Sequence, residues 1–467
     1  MKKHIVLMQL LALLLGAGSH ATAGIGGYLN IYNSTPDTIT LNVVDPSGWE
    51  SGDAPTLGIS LPPMTGIPQQ YIEADYTQAT MATITVSGNN ISGGFVLSEG
   101  VGSYAISGVS ASGITIASNI TSANFIYVTI TDPSESWMTS NTSIRGSTLQ
   151  NIVIPGAHDA AMATSSNCTA GGSTANTQTQ QYSFLQMLLS GIRLFDCRPV
   201  IIDNSGTIYL GHYGWVAPLN SYQGCTGATV ASLLNQVKTF ISQPGSKEVV
   251  ILEFSHFLDL YANPQNNSYF TPADLSTLMT QIYDSLGSYL YTGNGNFLTT
   301  NIGTLTANGA KVIVMFDPEM NVTGNTSQGI QITPSSVYNN FSQTNDVDSM
   351  MYGQIGALCD TNNASTYFYL SWTLTQEPEQ AAACSGNKTW IQVVLPLLGP
   401  LGNGISIAAN CLCTPIISLA NEANSQLPEF QALAMQKKLP RLPNVLYADM
   451  IGLQHYVYCC MLNNITP

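Results

Sequence analysis

From residue 24 to about 135, short β-branched and aromatic runs are separated by stretches dense in Gly, Ser, Thr and Asn. The clearest runs are Thr38 to Val44, Ala82 to Val86 and Phe125 to Ile130. Short strands broken by turn residues at this spacing predict an antiparallel all-β sandwich of roughly 100 residues. From about 136 onward the pattern changes to apolar strands alternating with helical stripes. Candidate strands are Asn151 to Ile154, Gly191 to Cys197, Thr207 to Gly211, Glu248 to Phe254, Lys311 to Phe316, Tyr367 to Leu374 and Asn444 to Ala448. Leu275, Leu278, Met279, Ile282, Tyr283, Leu286, Tyr289 and Leu290 trace one helical stripe, and Val230, Leu233, Leu234, Val237, Phe240 and Ile241 another. Alternation over some 330 residues predicts an α/β barrel of the TIM type with a parallel sheet, irregular because seven strands are legible rather than eight.

The first 23 residues add a third pattern: Lys2 and Lys3, an apolar run from Ile5 to Leu15, then small residues ending Ala21-Thr22-Ala23. This predicts a secretory signal peptide cleaved before Gly24. A membrane anchor is the weaker alternative, because the run falls short of the roughly 20 residues a spanning helix needs. The expected organisation is thus a signal peptide at 1–23, a sandwich module at 24–135 and a catalytic barrel at 136–467.

Composition narrows the functional classes. Only 8% of the 467 residues are charged, against roughly 25% in ordinary soluble domains. The 27 acids and 12 bases give a net charge of −15. That excludes a basic nucleic-acid footprint and opposes adsorption to anionic lipid by charge alone. Residues 24–135 contain no Lys, Arg, His or Cys, so the sandwich has few catalytic options and reads as a module binding glycan or membrane, or as structural support. Nine cysteines, all from Cys168 onward, fit disulfides in an oxidising compartment. Cys411-x-Cys413 and Cys459-Cys460 lack the spacing of a zinc site, and no cofactor is implied.

Barrel chemistry sits where strands end. The first strand runs into Ile154-Pro-Gly-Ala-His158-Asp159, the second ends Gly191-Ile-Arg-Leu-Phe-Asp196-Cys197-Arg198-Pro199, and the third ends Tyr209-Leu-Gly-His212. Strand alternation places Asp196 and Arg198 on one face and Cys197 on the other. Once the leader is removed, four His remain, His158, His212, His256 and His455, and two of them fall at successive strand ends. Two His and an Arg are what phosphoryl transfer without metal requires: a base for the attacking hydroxyl, an acid for the leaving oxygen, and a fixed cation for the phosphate. The planar Arg fork suits that last role.

The stretch from Ile154 to Phe257 resembles the catalytic X region of the phosphatidylinositol-specific phospholipase C superfamily, most nearly its metal-independent bacterial-like and X-domain members. The resemblance rests on the Ile-Pro-Gly-Ala-His-Asp turn, the Gly-Ile-Arg-x-Phe-Asp-x-Arg-Pro strand, Tyr-Leu-Gly-His, and Glu248-Val-Val-Ile-Leu-Glu-Phe-Ser-His-Phe257. Asn444-Val-Leu-Tyr-Ala-Asp449 resembles the final strand of the family. The resemblance implies His158 as general base, His212 as general acid and Arg198 on the phosphate, where calcium-dependent members carry an acidic ligand. It further implies that Asp449 orients His158 and that Asp159 orients His212, with Asp196 nearby. The implied reaction cleaves phosphatidylinositol, or its glycosylated form, to diacylglycerol and a cyclic inositol phosphate, with a phospholipid at a membrane interface as partner.

The sequence departs from that family where the headgroup should bind. Basic residues are expected at the ends of the fourth and fifth strands, but Glu253-Phe254-Ser255-His256 and Asp317-Pro318-Glu319 stand there. Glu253, Ser255, His256 and Asp317 are therefore candidate headgroup contacts, and multiply phosphorylated headgroups would be repelled. Tyr213 and Trp215, just after His212, are candidates for an aromatic lip, and His455 reads as structural. The alternatives are a phosphodiesterase acting on another lipid or a glycerophosphodiester, and a degenerate barrel in a membrane- or glycan-binding protein. Nothing in the sequence points to an oligomer.

Overall fold

The structure is a computed structural model that describes residues 26–463 except 34, 36, 64, 76–77, 90, 101–102, 121–124, 132, 263–268, 294–295, 319–327, 387–412 and 437–438. The expected signal peptide, Glu319 and Cys411 lie outside the described residues. The chain divides into two compact units, Met1–Thr131 and Asp132–Pro467.

The first unit holds two five-stranded sheets. One runs Gly58–Leu61, Ile39–Ser47, Met81–Gly88, Ile91–Gly100 and Ser103–Ser112, antiparallel throughout. The other is built around Gly26–Asn33 and Phe125–Thr131. Leu29, Ile31, Ile126 and Val128 from this sheet share one buried cluster with Leu41, Ile84, Phe95 and Leu97 from the first. The expectation of a purely antiparallel sandwich needs one correction: Gly26–Asn33 and Phe125–Thr131 pair in parallel. Parallel neighbours require a long crossover. The intervening strands of the unit supply it and bring its first and last strands side by side.

The second unit is built on eight strands: β1 (Ile154–Ala157), β2 (Leu194–Cys197), β3 (Val249–Phe254), β4 (Lys311–Phe316), β5 (Ile330–Ile332), β6 (Val337–Tyr338), β7 (Tyr367–Trp372) and β8 (Val445–Ala448). Every pairing among them is parallel, in the order β5-β4-β3-β2-β1-β8-β7-β6. Because β5 and β6 are consecutive in the chain yet end the row, the sheet curls as a barrel with its seam between them. Strands β1, β2, β7 and β8 are buried at every residue, as a sheet covered on both faces requires. Helices Val230–Ile241 and Pro272–Leu286 bury Leu233, Leu234, Val237, Leu278 and Ile282 against it, the stripes read from the sequence.

Two expectations change. Among the described residues the barrel sheet has eight strands, since β5 and β6, at three and two residues, are too short to leave a periodic signal. The strand that carries His212 is also not a barrel strand. It spans Tyr209–Val216 and pairs antiparallel with Ser221–Thr229 and Pro199–Ile201, in a separate four-stranded sheet. A nearby hairpin partner satisfies its backbone locally, whereas a barrel position would need a long crossover. Among the described residues no helix is long and apolar enough to cross a membrane.

At the N-terminal end of the strands, Arg193 and Glu248 form a buried ion pair with Nη2 to Oε2 at 2.8 Å. The remaining Arg193 donors reach the carbonyls of Ser134, Glu135, Leu188 and Ile192, and the Glu248 Oε1 accepts from Thr139 N and Oγ1 at 2.7 Å each. Both charges are thus fully partnered. Glu248→Ala should strand a buried guanidinium and cost about 3–5 kcal/mol. Chemical denaturation checks this, and a loss below about 1 kcal/mol would show that the pair is not structural.

Candidate active site

At the opposite end of the barrel, the turn after β1 delivers two functional side chains in succession. Gly156 allows β1 to run close to β8, since a Cβ there would lie 2.7 Å from a Val445 methyl. Next comes His158, then Asp159 at φ +41°, a left-handed conformation that turns the chain sharply. The His158 Nδ1 lies 2.7 Å from the Asp449 Oδ1, just past β8. The Tyr447 ring meets the imidazole edge-on, with centroids 5.3 Å apart.

Asp159 is the hub. Its Oδ1 lies 2.5 Å from Arg198 Nε, and its Oδ2 contacts His212 Nδ1 and lies 3.6 Å from His158 Nε2. Asp196 binds the same guanidinium through Nη2 at 2.9 Å and accepts from the Tyr447 hydroxyl at 2.6 Å. Cys197, between Asp196 and Arg198 in sequence, packs into the core, as strand alternation requires. His212 is held by its hairpin: it pairs in register with Cys225, which is disulfide-bonded to Cys168. Gly224 lets the partner strand approach, since a Cβ there would lie only 1.9 Å from the His212 carbonyl oxygen. A second disulfide joins Cys384 to Cys413.

These side chains carry a definite electrostatic pattern. Burial alone would lower the His158 pKa, but the Asp449 and Asp159 carboxylates outweigh it and leave the pKa raised. Burial would likewise raise Asp159 and Asp196, yet Arg198 dominates and holds both below the usual carboxylate range. His158, Asp159 and Asp196 each bring a donor atom within 4.8 Å of the others, close enough to share a metal ion. Both carboxylates are already engaged by the guanidinium, so Arg198 occupies the place of a cation there.

The site opens into a cavity of about 1070 Å³. Of the sequence candidates, His158, Asp196, Arg198, His212, Asp449, Glu253, Ser255, His256, Asp317 and Trp215 all line it. Tyr213 does not line it: its ring lies over Gly211 and its hydroxyl donates to the Asn167 carbonyl at 3.4 Å. Glu253 accepts from the Tyr369 hydroxyl at 3.0 Å, and burial together with Asp196 pushes its pKa up to about 8. His455 is buried, accepting from Gly452 N and facing Asn424 Oδ1, each at 3.2 Å, and burial lowers its pKa to about 4. It is a neutral structural imidazole.

The sequence reading missed the supports of the site. Tyr447 clamps Asp196 and flanks His158; it stands two residues before Asp449, so strand alternation could have placed both on one face. Gln180 donates to the His158 carbonyl at 2.7 Å, and Asn424 donates to the Asp449 carbonyl at 3.0 Å. Neither leaves a local signal, because each acts from a distant segment.

No family model and no curated protein matches the sequence. Solved structures do. The chain is similar to a phosphatidylinositol-specific phospholipase C of S. aureus, with 14% identity and a TM-score of 0.42 over 72% of this chain and 98% of that one. It is similar to the enzyme of Listeria monocytogenes at 13% identity and TM-score 0.42, over 72% of this chain and all of that one (100%). At this level the similarity decides neither activity nor substrate.

Proposed function

We propose that the barrel unit is a metal-independent phosphodiesterase that cleaves phosphatidylinositol, or a glycosylated form of it, to diacylglycerol and a cyclic inositol phosphate. One observation carries this reading: two imidazoles, each bound through Nδ1 to its own carboxylate, line one cavity with a guanidinium between Asp159 and Asp196. The carboxylates fix the tautomers, so each Nε2 is the nitrogen left for substrate. In the reaction, His158 Nε2 takes the proton of the hydroxyl next to the phosphate as that oxygen bonds to phosphorus. The bond from phosphorus to the glycerol oxygen breaks, and His212 Nε2 protonates the departing oxygen. Arg198 faces the charge on the non-bridging oxygens. The motifs shared with the phosphatidylinositol-specific superfamily supply the choice of lipid. Two disulfides support action in an oxidising, extracellular setting, consistent with a cleaved leader. The sandwich unit is proposed as an accessory module that brings the barrel to a glycan or membrane.

The test is the mature chain with phosphatidylinositol vesicles in chelator, its products identified by phosphorus NMR. A cyclic phosphate released alongside diacylglycerol is expected. Activity that disappears in chelator would overturn the metal-independent reading. Turnover confined to glycerophosphodiesters or sphingolipids would replace the lipid assignment.

A further inference from the structure

The charges at the proposed phosphate site do not balance on Arg198 alone. Asp159 and Asp196 both pair with it, and Asp449 pairs with His158. In the reactive form, with His158 neutral and His212 protonated, three carboxylates face two cations before an anionic diester arrives. Another positive group is needed, and the sequence offers few, since residues 24–467 hold ten Lys and Arg once Lys2 and Lys3 are set aside from the 12.

His256 lies where such a group would act. It follows β3, lines the same cavity and is exposed at its mouth. Its backbone is held at φ +52°, a left-handed conformation uncommon for any residue but glycine, and strain of this kind concentrates at functional sites. The imidazole Nδ1 is 2.8 Å from Ser255 Oγ, and that oxygen is 3.3 Å from Asp196 Oδ1. Ser255 donating to Asp196 and accepting from His256 Nδ1 forms a relay that leaves Nε2 for a ligand. Among the described residues, Nε2 has no protein hydrogen-bond partner.

The charged groups facing His256 come from three strand ends: Arg198 and Asp196 at β2, Asp159 after β1 and Asp317 after β4. Arg198 is the strongest influence and, with partial desolvation of the ring, holds the pKa below the ordinary imidazole value against the three carboxylates. An anion that neutralises Arg198 removes that influence.

We infer that His256 is a second phosphate-binding side chain, which takes up a proton when a phosphodiester settles on Arg198 and donates from Nε2 to a non-bridging oxygen. This rests on the phosphodiesterase reading above. It makes the site self-adjusting: the free pocket carries no surplus cation, and the bound anion creates one.

The experiment is histidine proton NMR on the mature chain, whose four His give four Hε1 signals, with dimethyl phosphate as a probe that does not itself titrate near neutrality. His256→Asn assigns the signal and tolerates the left-handed backbone. In the free protein this signal should titrate below the ordinary range. Saturating dimethyl phosphate should raise its midpoint by about one pH unit, and His256→Asn should weaken binding about tenfold, the loss of one charge-assisted hydrogen bond. The inference is overturned if the midpoint stays put while the His158 and His212 signals respond, or if His256→Asn binds as tightly as wild type. If wild type shows the His256 shift but cleaves no lipid, phosphate binding stands and the phospholipase reading fails.

Discussion

His158→Ala and His212→Ala are each expected to lower kcat for diacylglycerol release by about 10²- to 10⁴-fold, with KM little changed. Each variant removes one half of a proton transfer that must be completed at both oxygens. The double variant should therefore lose little more than either single one, because groups acting as a unit are not additive. Asp449→Asn separates support from chemistry. The Asp449 carboxylate, at 2.7 Å, helps keep the His158 pKa raised, so the base form appears only above that value. With Asn the acidic limb of the rate profile should move to lower pH while a fraction of the rate survives. Steady-state assays on vesicles across the pH range check all three. Wild-type rates in His158→Ala would remove His158 from the role of general base.

The second large effect is expected at Arg198. Arg198→Ala removes the cation proposed to face the phosphate, an expected loss of about 10²- to 10³-fold in kcat by comparison with other single donors to a developing charge. It also leaves Asp159 and Asp196 buried and adjacent without their shared partner, at a cost of about 3–5 kcal/mol. The pH dependence should weaken. In the wild type, burial would raise Asp159, but Arg198, His158 and His212 outweigh it, so its folded pKa is depressed. Stability from that depression is present above the unfolded value of about 4 and is lost as pH falls through the folded value. Without Arg198 the largest of the opposing charges is gone, and the folded pKa rises toward the unfolded one. Acidification should then cost the variant less of its remaining stability than it costs the wild type. Denaturant melts at several pH values distinguish the two behaviours. Arg198→Lys keeps the charge but cannot span both carboxylates, and should fall between wild type and Ala. Unchanged kcat in Arg198→Ala would remove Arg198 from the reaction.

Much of the site was legible because it is local. His158-Asp159 follows a strand directly, and Asp196 and Arg198 share a face by alternation, so the residues and the chemistry they suit can be read along the chain. The fold class was legible for a similar reason: the sandwich strands and the helical stripes carry their period within each segment. The strand that ends in His212 looked like a third barrel strand because an apolar run does not reveal its partner. Pairing to Ser221–Thr229 moved it to another sheet and still left His212 against Asp159.

By itself, then, the sequence determined which residue types stand at the strand ends, how poor the chain is in cations, and where β gives way to α/β. Only the tertiary structure decided that Tyr447 braces Asp196 and that Glu253 sits in a pocket that raises its pKa to about 8. The reason is physical: side-chain periodicity is a property of a segment, whereas a hydrogen bond across the barrel or a shift in proton affinity depends on which segments the fold brings together and how much water it leaves between them.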